Sequence, residues 1–162
     1  MERRSQLSNL KGIEVRAGEI SVTQDGEALI AVLGSNVSVC VWDTAGRIAG
    51  MNNFSEPATY DAERATARFG NVATVKLIDM IRERCADADL EAHIFGGASP
   101  RDGCEAGNAN VAMARSILSR RCIPVVSEDV GGRKGRKIMF DTTSGHVAVL
   151  KVHDIRKDDW GA

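Results

Sequence analysis

The chain has 162 residues and a net charge of −1, with 43% hydrophobic and 27% charged residues, which is typical of a soluble globular protein. The near-zero charge and an aromatic content of only 4% argue against a nucleic-acid partner, which would favour basic surfaces and stacking rings. No apolar run approaches the roughly 20 residues that span a bilayer, and the N-terminus has no apolar signal region, so we expect no membrane insertion and a cytoplasmic location.

Apolar patterning predicts strands through the first third of the chain. One or two short strands are predicted within residues 13–23, and a buried strand over residues 28–33. Residues 37–42 alternate strictly, with Val37, Val39 and Val41 on one face. A returning strand is predicted over residues 47–54, broken by Gly50. Pro57 favours a loop over residues 55–68.

The remainder of the chain alternates helices and strands. A helix is predicted from Asn71, and a second one from Asn108 or Asn110, either of which could cap it, through Arg121. Strands are predicted over residues 90–95, 122–127, 137–142 and 146–152, whereas residues 1–12 and 156–162 are expected to be loose. These elements predict an α+β fold of stacked or mixed β-sheets with two main helices packed on one side. We expect one domain over residues 1–162, with its core at about 13–153.

Small residues cluster where strands are predicted to end. Glycine there permits positive φ and close backbone approach, so converging clusters would form a binding cleft walled by backbone N–H groups. Ordinary tight turns are the alternative. The residues that we assign to this cleft are Gly34, Ser35, Asn36, Asn53, Gly96, Gly97, Asn110, Asp129, Gly131 and Gly132.

The four cysteines are scattered along the chain and form no C-x-x-C pair. Together with the absence of a phosphate-binding glycine motif, this leads us to expect neither a metal nor a cofactor.

The glycine clusters occur in a characteristic order. The relevant segments are LGSNV at 33–37, GMNNF at 50–54, FGGA at 95–98, GNAN at 107–110 and EDVGG at 128–132. In this order they resemble the motifs of the CheD family of chemoreceptor glutamine deamidases. The resemblance implies a cysteine-hydrolase-like deamidase fold. It also implies two partners, a cytoplasmic segment of a chemoreceptor and a CheC-like phosphatase.

The same resemblance implies amide hydrolysis by a cysteine that a histidine activates. Aligned on the motifs, the cysteine position falls at Asn36 and the histidine position at Asn53, and residues 30–32 lack the hydroxyl that the family usually has. A carboxamide is neither a nucleophile nor a proton acceptor near neutral pH. We therefore predict that no catalytic residue is intact and that the protein binds or regulates, with both asparagines free to pair with a glutamine amide.

Two other interpretations remain open at this point. The chain could be an active amidohydrolase that uses a relocated cysteine such as Cys40 or Cys104, or a structural module of a larger assembly. His93 lies inside a predicted strand and is interpreted as structural, while His146 and His153 are predicted at the surface. The basic residues 133–137 form either a solvated hairpin loop or a partner contact.

Overall fold

The computed structural model describes residues 12–101 and 103–152, which form three stacked layers: two helices, a five-stranded sheet and a four-stranded sheet. The described part of the chain contains nine strands and two α-helices. The predictions for residues 1–11 and for the C-terminal tail, including His153, lie outside the described residues. The predicted α+β class is confirmed, with both helices on one side of the stacked sheets.

The central layer is a five-stranded sheet in the order β2-β5-β4-β6-β7. Its strands are β2 (Ile20–Thr23), β4 (Val37–Asp43), β5 (Ala49–Asn52), β6 (Leu90–Gly96) and β7 (Val125–Val130). The β6–β7 pair is parallel, and the other pairs are antiparallel. The mixed character predicted for the sheets is thus present.

The outer layer is a four-stranded sheet in the order β1-β3-β8-β9. Its strands are β1 (Gly12–Glu14), β3 (Ala28–Leu33), β8 (Gly135–Asp141) and β9 (Val147–Val152). Only β1 and β3 run parallel. The chain therefore crosses between the two sheets after β1, β2, β3 and β7, and the crossings after β3 and β7 fall at glycine clusters.

The helices α1 (Gly70–Arg84) and α2 (Ala106–Arg120) cover the free face of the five-stranded sheet. Strand β4 shows how the two cores arise from one pattern. Val37, Val39 and Val41 face the helices, whereas Cys40 on the opposite face joins the core between the sheets. The strict alternation in the sequence predicted this division, although both faces of β4 turn out to be buried.

The prediction that Gly50 breaks its strand is wrong. Strand β5 runs through Gly50, and a Cβ there would lie 2.7 Å from Leu77 Cδ1 of α1 and 2.9 Å from the carbonyl oxygen of Ser21. The glycine therefore lets the helix and the neighbouring strand pack closely against β5.

Several element boundaries also differ from the predictions, two of them for a clear local reason. Helix α2 begins at Ala106, so Asn108 and Asn110 lie inside it and neither caps it. Strand β7 begins at Val125 rather than at residue 122, because Cys122 has a φ of 56° and turns the chain there. Of the basic residues within 133–137, Arg133 and Lys134 lie in the connection between the two sheets and Arg136 and Lys137 lie in β8, so they do not form a hairpin loop.

Candidate functional site

Asn36 and Asn53 are hydrogen-bonded neighbours. Asn36 immediately precedes β4 and Asn53 immediately follows β5, and the pairing of these strands is extended by two backbone bonds of 3.0 Å between Val37 and Phe54. This register brings residues 36 and 53 together. Nδ2 of Asn36 donates to Oδ1 of Asn53 at 3.2 Å. The two positions that the family motifs single out therefore face one another.

Asn53 is fully buried, and its polar groups are paired. Its Nδ2 donates to the carbonyl oxygen of Val15 at 3.0 Å, its backbone N–H donates to that of Glu19 at 3.3 Å, and its own carbonyl oxygen accepts from Gly18 at 2.7 Å. Asn36 is only half-buried. Of the two amides, Asn36 is therefore the one that a ligand could touch, while Asn53 holds it in place.

The backbone of β6 ends directly against Asn36. Gly97 donates its N–H to the carbonyl oxygen of Asn36 at 2.9 Å, and Ala98 donates to that of Gly34 at 3.0 Å. Gly96 has a φ of 104°, and a Cβ on it would overlap the Asn36 carbonyl oxygen. Only glycine fits here, because any other residue would be strained at this φ and its Cβ would collide with the backbone of Asn36.

Helix α2 secures the same segment from the other side. Asn110 is fully buried, and its Nδ2 donates to the carbonyl oxygens of Ser35 at 3.0 Å and Ser55 at 3.2 Å. Its Oδ1 accepts no bond from the described residues. One amide group thus ties together the chain beside Asn36 and the chain beyond Asn53. The sequence suggested Asn110 as a helix cap as well as a cleft residue, and the helical register turns it inward.

We call this group the asparagine site. Its members are Gly34, Ser35, Asn36, Asn53, Gly96, Gly97 and Asn110.

The three remaining predicted cleft residues lie at or beyond its border. Gly131 donates its N–H to the carbonyl oxygen of Gly96 at 2.9 Å, and the carbonyl oxygen of Gly132 accepts from Ser99 at 2.8 Å. The Asp129 carboxylate instead points to two cations of the neighbouring sheet and makes no described contact with the asparagine site.

Arg136 is a buried cation that the sequence interpretation missed. Its side chain is only 2% exposed, and its Nη1 and Nη2 donate to the carbonyl oxygens of Gly96 and Gly131, both at 2.8 Å. Burial lowers the pKa of its guanidinium, and the negative charge of Asp129 partly offsets this lowering. The signal was present in the sequence, because alternation along β8 puts Arg136 on the same face as the core residues Ile138 and Phe140.

Cys40, which the sequence offered as a relocated nucleophile, lies in the core between the two sheets. Cys40 is fully buried, and desolvation raises the pKa of its thiol far above the ordinary value. Its cross-strand partner is His93, whose ring nitrogens are both engaged. Nε2 of His93 donates to the carbonyl oxygen of Gly145 at 2.8 Å, and Nδ1 accepts from the hydroxyl of Ser127. His93 is thus held as a structural residue, as predicted.

The described ranges 12–101 and 103–152 contain no group of three or more His, Cys, Asp or Glu side chains placed to hold a metal ion. Cys104 is half-buried and His146 is exposed, and the described contacts join neither to the asparagine site. Neither α1 nor α2 is long and apolar enough to cross a membrane.

Comparison with known proteins places these observations in a family. A family model described as CheD chemotactic sensory transduction matches residues 54–151. A probable chemoreceptor glutamine deamidase CheD 1 of Anaeromyxobacter dehalogenans is 39% identical over 138 residues, which cover 82% of this chain and 80% of that protein. A probable chemoreceptor glutamine deamidase CheD of Sulfurimonas denitrificans is 35% identical over 144 residues, covering 85% and 92%.

A crystal structure of a Neisseria meningitidis protein of the DUF152 family aligns with a TM-score of 0.48 at 13% identity, covering 93% of this chain and 78% of that one. This likeness is too distant to bear on function. The curated relatives, in contrast, span most of the chain and most of their own length. On the family match and these relatives together, the chain belongs to the CheD family.

Proposed function

We propose that this CheD-family protein binds a glutamine-bearing segment of a chemoreceptor in the cytoplasm without hydrolysing it. The observation that carries the proposal is the hydrogen bond between Asn36 and Asn53, at the positions where the family motifs call for a cysteine and a histidine. The relatives are named as chemoreceptor glutamine deamidases, which supports a receptor segment as the ligand. A CheC-like phosphatase is the second partner that the family resemblance implies.

Hydrolysis of a glutamine amide requires an attacking group and a group that moves the proton. The carboxamide of Asn36 does not form an anionic nucleophile near neutral pH, and that of Asn53 does not take up a proton and return it to departing ammonia. The oxygen of Asn53 instead accepts an N–H from Asn36, which fixes the two amides in a neutral pair. This pair supports binding rather than turnover.

Asn36 is well suited to recognise another amide. Its Nδ2 uses one hydrogen on Asn53, which leaves a second N–H and the Oδ1 for a ligand. A primary carboxamide such as that of glutamine offers the complementary acceptor and donor, so two hydrogen bonds can form between them. Asn53, which is fully buried, would orient Asn36 without touching the ligand.

The alternative of an active hydrolase that uses Cys40 is disfavoured by burial. A thiolate is the reactive form of cysteine, and the raised pKa of the Cys40 thiol keeps it protonated at neutral pH. His93 cannot serve as its base while both ring nitrogens bond to Ser127 and Gly145.

A direct test combines binding and turnover on one receptor peptide that contains glutamine. We expect measurable binding by calorimetry, and neither ammonia release nor the mass increase that accompanies conversion of glutamine to glutamate. Binding should weaken about tenfold in Asn36→Ala, the effect of losing roughly two hydrogen bonds, and should be unchanged in Asn108→Ala, an exposed asparagine of α2. Ammonia release that disappears in Cys40→Ala would refute the proposal.

A second test restores the missing groups. The double variant Asn36→Cys with Asn53→His should regain some deamidation if the surrounding backbone still supports the reaction. Because position 53 is fully buried, the larger imidazole must find room there, so the fold is checked by near-UV circular dichroism. A folded double variant that stays inert would show that more than these two side chains separates this chain from an active deamidase.

A further inference from the structure

The chain that leaves β5 forms a closed surface loop whose two ends meet. Gly70 donates its backbone N–H to the carbonyl oxygen of Glu56 at 2.7 Å, and Glu56 donates its own to that of Arg68 at 3.1 Å. Compact surface loops with joined ends are frequently functional elements. We call residues 56–69 the Tyr60 loop.

The base of the Tyr60 loop adjoins the asparagine site. Nδ2 of Asn110 donates to the carbonyl oxygen of Ser55, the residue before the loop, and also to that of Ser35. Tyr60 follows Ser55 by five residues, so their Cα atoms are at most about 18 Å apart. An extended peptide that starts at Asn36 covers this distance and the width of the asparagine site in about seven residues. A peptide bound at Asn36 can therefore also contact the Tyr60 loop.

The side chain of Tyr60 is exposed although the backbone before it is held in place. Tyr60 is 89% exposed, more than the other exposed large hydrophobic residues of the described chain, Leu150 at 62% and Val126 at 48%. The Asn71 side chain holds the preceding residue, because its Oδ1 accepts from the N–H of Thr59 at 3.2 Å and its Nδ2 donates to the carbonyl oxygen of Thr59 at 2.8 Å. A ring presented from a fixed backbone loses little conformational entropy on binding, which makes tyrosine an effective anchor in interfaces.

An open groove begins where the Tyr60 loop is held. Its volume is about 520 Å³, and side chains of α1 from Asn71 to Glu83 line it, among them the half-buried apolar side chains of Val72, Val75 and Met80. We call it the α1 groove. Asn71 both lines the groove and holds the loop, so the Tyr60 loop stands at the N-terminal end of the α1 groove. The aromatic ring and the apolar side chains of the groove thus belong to one surface.

We propose that Tyr60 and the N-terminal part of the α1 groove bind an aliphatic side chain of the same receptor segment whose glutamine amide is bound at Asn36. This rests on the proposed function for the glutamine, and it adds a sequence requirement to the segment, a leucine-like residue within about seven residues of that glutamine. The same segment is the occupant because the loop is continuous with the asparagine site through Ser55. Burial of an aliphatic side chain against an aromatic ring supplies affinity that two amide hydrogen bonds alone do not.

Matched peptides and the full chain test the sequence requirement. Each peptide carries one glutamine and, about three, five or seven residues away, either leucine or serine. We expect the best-placed leucine peptide to bind about tenfold more tightly than its serine partner, which is the effect of burying most of one aliphatic side chain. Equal affinities of the leucine and serine peptides at every spacing would overturn the proposal.

Substitutions at accessible residues locate the contact. Tyr60→Ala should remove the preference for leucine, whereas Tyr60→Phe, which keeps an aromatic ring, should retain it. Val72→Asp should also remove the preference because it places a charge in the α1 groove, and a carboxylate in the first turn of a helix is compatible with folding. Leu150→Ala, at an exposed apolar residue of β9, is the matched control and should leave the preference intact. A preference that survives in Tyr60→Ala, or that is lost equally in Leu150→Ala, contradicts the assigned contact.

Fluorine NMR separates the failure of this proposal from the failure of the proposed function. The chain has one tyrosine, so incorporation of 3-fluorotyrosine gives a single resonance from Tyr60. The leucine peptide should shift this resonance, and the serine peptide should leave it nearly unchanged. No shift, while Asn36→Ala still weakens binding, overturns the Tyr60 contact and leaves glutamine binding at Asn36 untouched.

Two other results of the same experiment are also decisive. A shift together with peptide binding that ignores Asn36→Ala would overturn the proposed function, and with it the link between Tyr60 and Asn36. A shift that follows the protein concentration rather than the added peptide would identify a second copy of this chain as the occupant and would overturn the assignment of the receptor segment to this surface.

Discussion

The two ends of the β4–β6 strand pair are held by different chemistry. At one end, where Val37 pairs with Gly96, glycines bring backbones into contact and neutral amides fill the hydrogen bonds. At the other end, where Asp43 pairs with Leu90, a buried carboxylate accepts from Arg47 Nε at 2.7 Å and from the backbone of Asp89 at 3.0 Å. The first end depends on close packing and the second on charge. Steric substitutions should therefore destabilise the first end most, and a change of pH should affect the second.

The largest expected effect is steric and falls on the amide end. Gly96→Ala should reduce the free energy of unfolding by about 4 kcal/mol or more, because the new Cβ overlaps the Asn36 carbonyl oxygen at a strained φ. Gly103→Ala is the matched control, since Gly103 also has a positive φ, of 83°, but nothing lies within 4 Å of its added Cβ. Its cost should be only about 1 kcal/mol. Equal costs in urea denaturation would contradict the close approach.

The next largest effect concerns the cation that supports the amide end. Arg136→Ala should cost about 3 kcal/mol, because the carbonyl oxygens of Gly96 and Gly131 lose a buried donor and Asp129 loses one of its two partners. Lys134→Ala, at an exposed neighbour, should change the unfolding free energy by less than about 0.5 kcal/mol. A small effect in both variants would show that the buried guanidinium is dispensable.

At the charged end the expected effect depends on pH. Arg47 holds the pKa of Asp43 below its ordinary value, so the carboxylate contributes stability that is complete above pH 4–5 and is lost as the pH falls through the lowered native pKa. Asp43→Asn should cost about 2 kcal/mol at pH 7. The difference from the wild type should shrink below about pH 4, where the wild type begins to lose the contribution that the variant never had.

Asp25→Asn, in the exposed β2–β3 turn, serves as the control for this titration and should change stability little at pH 7. At the amide end, in contrast, the effect of substituting a carboxamide should not change with pH, because carboxamides do not titrate. A gap between Asp43→Asn and the wild type that stays constant from pH 7 to pH 3 would contradict the role given to the Asp43 carboxylate.

The smallest effect is expected from one amide that joins two segments. Asn110→Ala should cost about 1.5 kcal/mol, because the carbonyl oxygens of Ser35 and Ser55 lose their shared donor but are close enough to the surface to reach water. Asn108→Ala, two residues earlier and exposed on the same helix, should be neutral or slightly stabilising, since alanine favours helix. Similar unfolding free energies for the two variants would contradict the stabilising role given to the hydrogen bonds of Asn110.

The sequence predicted the layers better than the details of the site. Periodicity fixed the strands and both helices, because burial of apolar faces dominates those choices. Local rules failed where tertiary contacts decide the outcome. Gly50 resembled a strand break but accommodates a helix, and Asn110 resembled a cap but turns inward to carbonyl groups 75 and 55 residues away in the sequence.

Seven of the ten residues that the sequence assigned to a cleft lie together in the structure, whereas Asp129, Gly131 and Gly132 lie at or beyond their border. That these residues bind a ligand stays a prediction. Nothing in the sequence alone showed that Asn53 is fully buried while Asn36 is half-exposed, because that difference depends on Val15, Gly18 and Glu19 folding over Asn53. Arg136 was overlooked because a basic glycine-rich stretch is usually a solvated turn.

Gly97 and Gly107 touch backbone to backbone where α2 begins, and a Cβ on Gly107 would overlap the carbonyl oxygens of Gly97 and Ala98. This contact must be preserved for the helix to dock, whatever happens at residues 36 and 53. These two glycines are therefore needed for folding, so their presence in a CheD-family sequence does not indicate whether the protein is a deamidase. Under the proposed function, the side chains at positions 36 and 53 are the better guide to activity among relatives of this chain.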